Sequence, residues 1–176
     1  MNVDDFLDRL TDFVRDCTKE IRLPVRATQS NREPELRAPE VFKMRLPDAK
    51  SYKDKAPYII VQVTSWNDYQ YERRRGECEC TVRMVFCVYC DDESSGALHV
   101  LNVMQDIRER TLRYRIVGNQ YELDLSEGMT FEIYTDDTAP YFGGECTSVW
   151  KIPTIARESR PWLDNVMYPP SPNYEG

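Results

Sequence analysis

The chain has 176 residues, 41% hydrophobic and 30% charged, with a formal net charge of -7. That is material for one ordinary domain. Its longest apolar runs are strand-sized, which excludes a hydrophobic membrane-spanning helix. The acidic, amphipathic opening MNVDDFLDRL predicts no secretory leader. An acidic balance argues against a surface that grips DNA or anionic lipid, and a single histidine leaves little material for acid–base or metal chemistry.

Residues 1–23 predict a helix. Val3, Phe6, Leu7, Leu10, Phe13, Val14, Cys17 and Ile21 recur at steps of three and four and line one face. Asn2 or Asp4 is placed to cap it, and Pro24 marks its expected stop. Residues 24–56 hold Pro24, Pro34, Pro39 and Pro47 without sustained periodicity. They are expected to form a surface excursion, or an arm toward a neighbouring subunit, anchored around Val41, Phe42, Met44 and Leu46.

From Pro57 the texture turns to strand. PYIIVQVTSW is rich in β-branched residues, and ECECTVRMVFCVYC alternates over its whole length. Cys78, Cys80, Val82, Met84, Phe86, Val88 and Cys90 share one face; Glu77, Glu79, Thr81, Arg83, Val85, Cys87 and Tyr89 share the other. The two strands predict a long antiparallel hairpin with its tip at residues 67–76. Ser94 or Ser95 is expected to cap a second helix over 97–113, with Leu98, Leu101, Met104, Ile107 and Leu112 facing inward. RIVGNQYELDL predicts a hairpin turning on Gly118-Asn119. Ser126-Glu127-Gly128 leads into MTFEIYT. DDTAPYFGG is expected to be a loop, with Gly143-Gly144 a turn. ECTSVWKIPTIA is the last strand, and its Pro153 predicts an edge position or a late break. The expected architecture is a single α+β domain over 1–156, with a mainly antiparallel twisted sheet flanked by two helices. Residues 157–176, rich in proline, form an extended tail outside the core.

Six cysteines in a chain without a leader predict free thiols. Cys78, Cys80, Cys87 and Cys90 have spacings that would suit tetrahedral zinc. On one extended strand, however, Cys78 and Cys90 would lie about 40 Å apart and Cys87 would face away from the rest. Buried thiols are therefore expected, and neither a metal nor a cofactor. A small zinc- or thiol-dependent domain is the alternative from another class. His99 has no companion nucleophile and is expected at the helix surface. Tyr69, Tyr71, Arg73, Arg74 and Arg75 make a basic, aromatic hairpin tip, and those residue types favour protein contacts. From Ile116 to Trp150 there is no lysine or arginine against seven carboxylates.

The element order and texture resemble the tail terminator (tail completion) proteins of long-tailed bacteriophages. The likeness is carried by the alternating strand Cys78–Cys90, the Ser-Ser-Gly break, the helix Ala97–Arg113 and the Gly-Asn hairpin. Pro140-Tyr141-Phe142-Gly143-Gly144 and the closing TSVWKIP complete it. It covers residues 1–23 and 57–156; the insertion and the tail lie outside it. It implies a structural virion protein, not an enzyme, that is made in the host cytoplasm. Such a subunit forms a ring, usually hexameric, that caps the tail tube and meets a head-completion or neck protein. DNA passes through without specific binding, and no membrane is involved. On that view Glu122, Asp124, Glu127, Asp136 and Asp137 would face the channel, and the arginine tip would touch an adjoining ring. Charge reversal at Arg73–Arg75 should then abolish joining and leave the subunit folded. Another head–tail connector, or a monomeric binding module using the proline-rich tail, are the remaining alternatives.

Overall fold

The apolar periodicity at the start of the chain becomes helix α1, Val3–Thr18, in the computed structural model, which describes residues 3–27, 35–47, 52–69, 77–135 and 139–154. Phe6, Leu7, Leu10, Val14 and Cys17 are its buried stripe. It stops short of the expected residue 23. The Thr18 hydroxyl donates back to the Val14 carbonyl at 2.9 Å, and the Ile21 N–H closes a turn on Thr18. Leu23–Pro24 (β1) is instead paired antiparallel with Leu36–Arg37 (β2).

The anchor expected around Val41 docks on the chain's own sheet. Glu40–Lys43 (β3) lies parallel to Tyr58–Val61, so Val41 enters the core while Phe42 faces the other side. Two contacts hold this strand to α1: Arg15 donates to the Val41 carbonyl at 3.1 Å, and Lys43 pairs with Asp8. Met44 does not anchor; it is exposed at a left-handed φ of 61°. A short helix, Tyr52–Lys55 (α2), follows, and Arg37 donates to the Lys55 and Ala56 carbonyls at 2.6 and 3.1 Å.

The long hairpin is Tyr58–Tyr69 (β4) and Glu77–Tyr89 (β5), in register from Tyr58↔Cys87 to Tyr69↔Glu77 with an irregularity after Val63. Strand β4 thus runs three residues further than expected. The alternation of β5 is realised as drawn, with Cys78, Cys80, Val82, Met84, Phe86 and Val88 buried. Helix α3, Glu93–Tyr114, begins earlier than expected, because Asp92 is the cap: its carboxylate accepts the Ser94 N–H at 3.1 Å and both serine hydroxyls. The inward stripe is Gly96, Val100, Val103, Met104, Ile107 and Thr111. Leu98 and Leu101, expected inside, are 56% and 46% exposed. Arg115 closes the helix in the left-handed region at φ 57°.

Strands Ile116–Val117 (β6) and Tyr121–Leu123 (β7) form the small hairpin, with Gly118 and Asn119 at φ 59° and 61°. Gln120 lengthens the loop by one residue over the expected two, since the pairing resumes at Val117↔Tyr121. Met129–Ile133 (β8) and Tyr141–Ile152 (β9) complete the sheet. The expected turn at Gly143-Gly144 is strand: β9 starts at Tyr141 and pairs with β5 along its whole length. Pro153 breaks it late, after a central rather than an edge strand.

The strand order is β3-β4-β5-β9-β7-β6, with β8 also on β9; among the described residues only β3–β4 is parallel. This is an α+β fold whose two long helices cover one face of a curled sheet. Trp150 sits fully buried in that layer, 5.7 Å from the ring of Phe6, which is 5.0 Å from Tyr121. Its indole N–H, which would otherwise be a buried unpaired donor, reaches the Ser148 hydroxyl at 3.0 Å.

Candidate functional site: a helix-free sheet face between two bare edges

The period-two pattern that buries one face of β5 and β9 leaves the other, among the described residues, without a long helix; only the four-residue α2 lies over one end of it. At one end a small cluster covers it, formed by Ala56, Tyr58 and Tyr89 with Phe42, Leu46, Ile60, Cys87 and Tyr141. Lys53 and Lys55 lie over the Tyr141 and Phe42 rings at 5.6 and 5.7 Å. Beyond the cluster, Thr81, Arg83, Val85, Glu145, Thr147 and Val149 are half-buried or exposed. Arg83 and Glu145 form an ion pair at the centre, with Arg83 Nε donating at 2.8 Å and the Tyr134 hydroxyl donating to the same oxygen at 2.8 Å. Those donors hold the Glu145 carboxyl below its ordinary range, while burial and the adjacent carboxylate push the Tyr134 phenol up.

The face is bounded by two strands with open backbones. Strand β3 covers β4 only as far as Val61, and among the described residues no strand pairs with the outer side of β4 from Gln62 to Tyr69. On the other flank β8 pairs, among the described residues, with β9 alone. The free part of β4 carries Trp66, 57% exposed, and Tyr69. By register Trp66 opposes Cys80 and belongs to the helix-covered side, yet no helix among the described residues covers it. Unpaired edges with exposed aromatics are sites where another chain can add.

The residues singled out from the sequence divide. Tyr69 lies on the helix-free side at the end of β4, opposite Glu77; Tyr71, Arg73, Arg74 and Arg75 lie outside the described residues. Glu122 is exposed and opposes Lys151, and Glu127 is exposed in the turn between β7 and β8. Asp124 does not present its charge. It is only 6% exposed, accepts the Ser126 N–H and hydroxyl at 2.9 and 2.6 Å, and pairs with Lys151 at 3.1 Å. The Ser126 hydroxyl, ahead of the other contacts, lowers its pKa. Asp136 and Asp137 lie outside the described residues. Glu132 and Glu145, which the sequence did not single out, join the face because β8 and β9 set them opposite one another. Trp66 was likewise missed; its only signal was an aromatic at the end of an apolar run.

The cysteines are separated as their alternation requires. Cys78 and Cys80 are buried against the helices with Cys146, and Cys87 lies on the opposite face with Tyr58 and Tyr141. No group of three or more histidine, cysteine or carboxylate side chains among the described residues is placed to hold a metal ion. Burial pushes the thiols of Cys80 and Cys146 up to about 12, and those of Cys17 and Cys78 to about 11. The cause is the same at all four positions, where desolvation of the charged thiolate is the largest effect. These four should therefore stay protonated in the folded chain at pH 8. Alkylation followed by mass spectrometry should find them at least about tenfold slower than in denaturant. One of them reacting at the denatured rate would restore the thiol-dependent alternative. No protein-family model matches this sequence, and no curated protein is significantly similar to it.

Proposed function

We propose that the chain is a structural subunit of a self-assembling ring, a tail terminator that caps a phage tail tube and joins it to the head. The observation that supports this best is the pair of bare edges on opposite flanks of one sheet, β4 beyond Val61 and β8. A closed ring needs a heterologous contact, in which one patch meets a different patch on the next copy. Two unlike edges meet that requirement: β8 of one copy beside β4 of the next would continue the sheet around the ring.

In that arrangement the helix-free faces line one surface. It carries Glu77, Glu79, Glu122, Glu132 and Glu145 against Arg83 and Lys151, by the registers of β5, β7, β8 and β9, and against Lys53 and Lys55 over the small cluster at one end. An excess of carboxylates around a channel repels DNA and lets it pass without sticking. The head-completion and tube proteins would meet the two rims of the ring.

Light scattering across a concentration series, with negative-stain images of any large species, tests the proposal. A closed species near six times the 20.7 kDa chain mass is the expected result. A mass that stays at one chain to the highest attainable concentration would overturn self-closure and leave a monomeric neck adaptor.

A further inference from the structure

Where α1 passes α3, the surface holds an open groove of about 390 Å³. Its two arginines are already paired, Arg9 with Asp5 at 3.6 Å and Arg110 with Asp16 at 4.0 Å. What it offers a partner is therefore apolar. Phe13, Tyr114 and Ile116 line it, and Tyr114 and Ile116 are 62% and 51% exposed. The Phe13 and Tyr114 rings meet edge to face at 6.4 Å and make an aromatic wall. A preformed apolar concavity of this kind suits one large aromatic anchor.

The strand registers tie this groove to Trp66. Trp66 opposes Cys80, Cys80 opposes Trp150, and Trp150 opposes Leu123. The Leu123 N–H in turn donates to the Arg115 carbonyl at 2.8 Å. Trp66 and the segment 114–116 are thus the two ends of one cross-strand row. From β4 to β6 that row crosses four strand spacings, about 19 Å along the sheet, so Trp66 does not fill the groove of its own chain. In a ring whose sheet continues around an axis along the strands, rotation moves nothing along them. The Trp66 end of the row then arrives level with the Tyr114 end of the next copy's row.

Charge and strand shape agree with that meeting. Asp68 shares the side of β4 that carries Trp66, is exposed, and has no cationic partner among the described residues. Arg113 and Arg115, on either side of Tyr114, are exposed and have no carboxylate partner among them. Opposite charges so placed fix which patches meet. Val63 is level with Met129 of β8 through Val82 and Ser148. Beyond that level β6 stands one strand further out than β8, in the path of an incoming β4. The irregularity between Val63 and Ser65 is where β4 can bend aside, because such breaks in register re-aim a strand.

We propose that Trp66 of each copy seats in the α1–α3 groove of the next, against Phe13 and Tyr114, with Asp68 toward Arg115. This seating presupposes the ring of the proposed function and names the anchor of its contact: β4 lies beside β8 as far as Val63, and its end crosses onto the groove.

The test mixes full-length light chain, carrying the photo-crosslinking analogue p-benzoylphenylalanine in place of Tyr114, with excess heavy-isotope wild-type chain. Light scattering of the wild type alone records whether the ring forms. After irradiation, light–heavy crosslinks to the peptide carrying Trp66 are expected. A charge exchange gives the second readout: Asp68→Arg should raise the concentration needed for the ring about tenfold, and adding Arg115→Asp should restore it. A wild-type ring with crosslinks to other peptides, with none, or without restoration by the second substitution would overturn the seating and leave the ring standing. Crosslinks to Trp66 of the same chain would overturn it as well. A wild-type chain that stays monomeric would overturn the seating and the ring together.

Discussion

Gly144→Ala should destabilise the domain by about 2 kcal/mol or more, and Gly144→Val should cost further, read from urea unfolding. Gly144 is the fourth residue of β9, buried, between Phe86 of β5 and Ile133 of β8. A Cβ placed there would lie 2.4 Å from the Met104 Cε and 2.6 Å from the Glu132 carbonyl oxygen. The methionine end can swing away, but the carbonyl belongs to the β8 backbone and cannot do so without moving the strand. Alanine in a strand recovers at most about 1 kcal/mol of backbone entropy relative to glycine, which the overlap exceeds. Gly128→Ala is the control. Its φ is +74° but nothing lies within 4 Å of the added carbon, so its cost is conformational alone, about 1 kcal/mol. A Gly144→Ala chain as stable as the wild type would mean that β8 does not lie against β9 as described.

That glycine also shows where sequence reading stops. Gly143-Gly144 after a proline-containing segment has the texture of a turn, and only the distant Met104 and Glu132 reveal why a strand needs it. The stripe of α3 failed for a related reason. Leu98 and Leu101 are the more apolar choice, but the helix turns Gly96 and Thr111 inward instead, and the missing side chain of Gly96 leaves room for the Phe142 ring. Small residues that permit close approach carry no hydrophobic signal.

What local pattern determines was legible: the alternation of β5, the stripe of α1 and the Gly118-Asn119 turn each rest on neighbours along the chain. Non-local pairing was not. Glu40–Lys43 is too short and too charged to announce a parallel edge strand, and its partner begins 15 residues after its last residue. The candidate surface suffered in the same way. Residue type singled out Tyr69, Glu122, Glu127 and Asp124 alike; the first three are exposed, whereas Asp124 is withdrawn by Ser126 and by Lys151 from another strand. The bare edges became visible only once every strand had its partners.

Trp66→Lys should dissociate the proposed ring while leaving the subunit folded. By register Trp66 opposes Cys80, which is fully buried, yet Trp66 itself is 57% exposed. Its apolar area contributes little to the described domain and is available to a neighbour along the unpaired part of β4. Losing a tryptophan anchor from an interface costs about 2 kcal/mol or more, roughly a 30-fold weakening of each contact. Lysine adds a second obstacle, because a charged side chain on an open edge opposes pairing with another strand. Light scattering should move from the ring mass to 20.7 kDa, with an unchanged melting curve. Leu98→Lys is the matched comparison. Leu98 is 56% exposed, but on the helix layer rather than at a strand edge, so its ring should persist. If Leu98→Lys dissociates the ring and Trp66→Lys does not, subunits meet through α3, and a sheet continued from copy to copy is the wrong geometry.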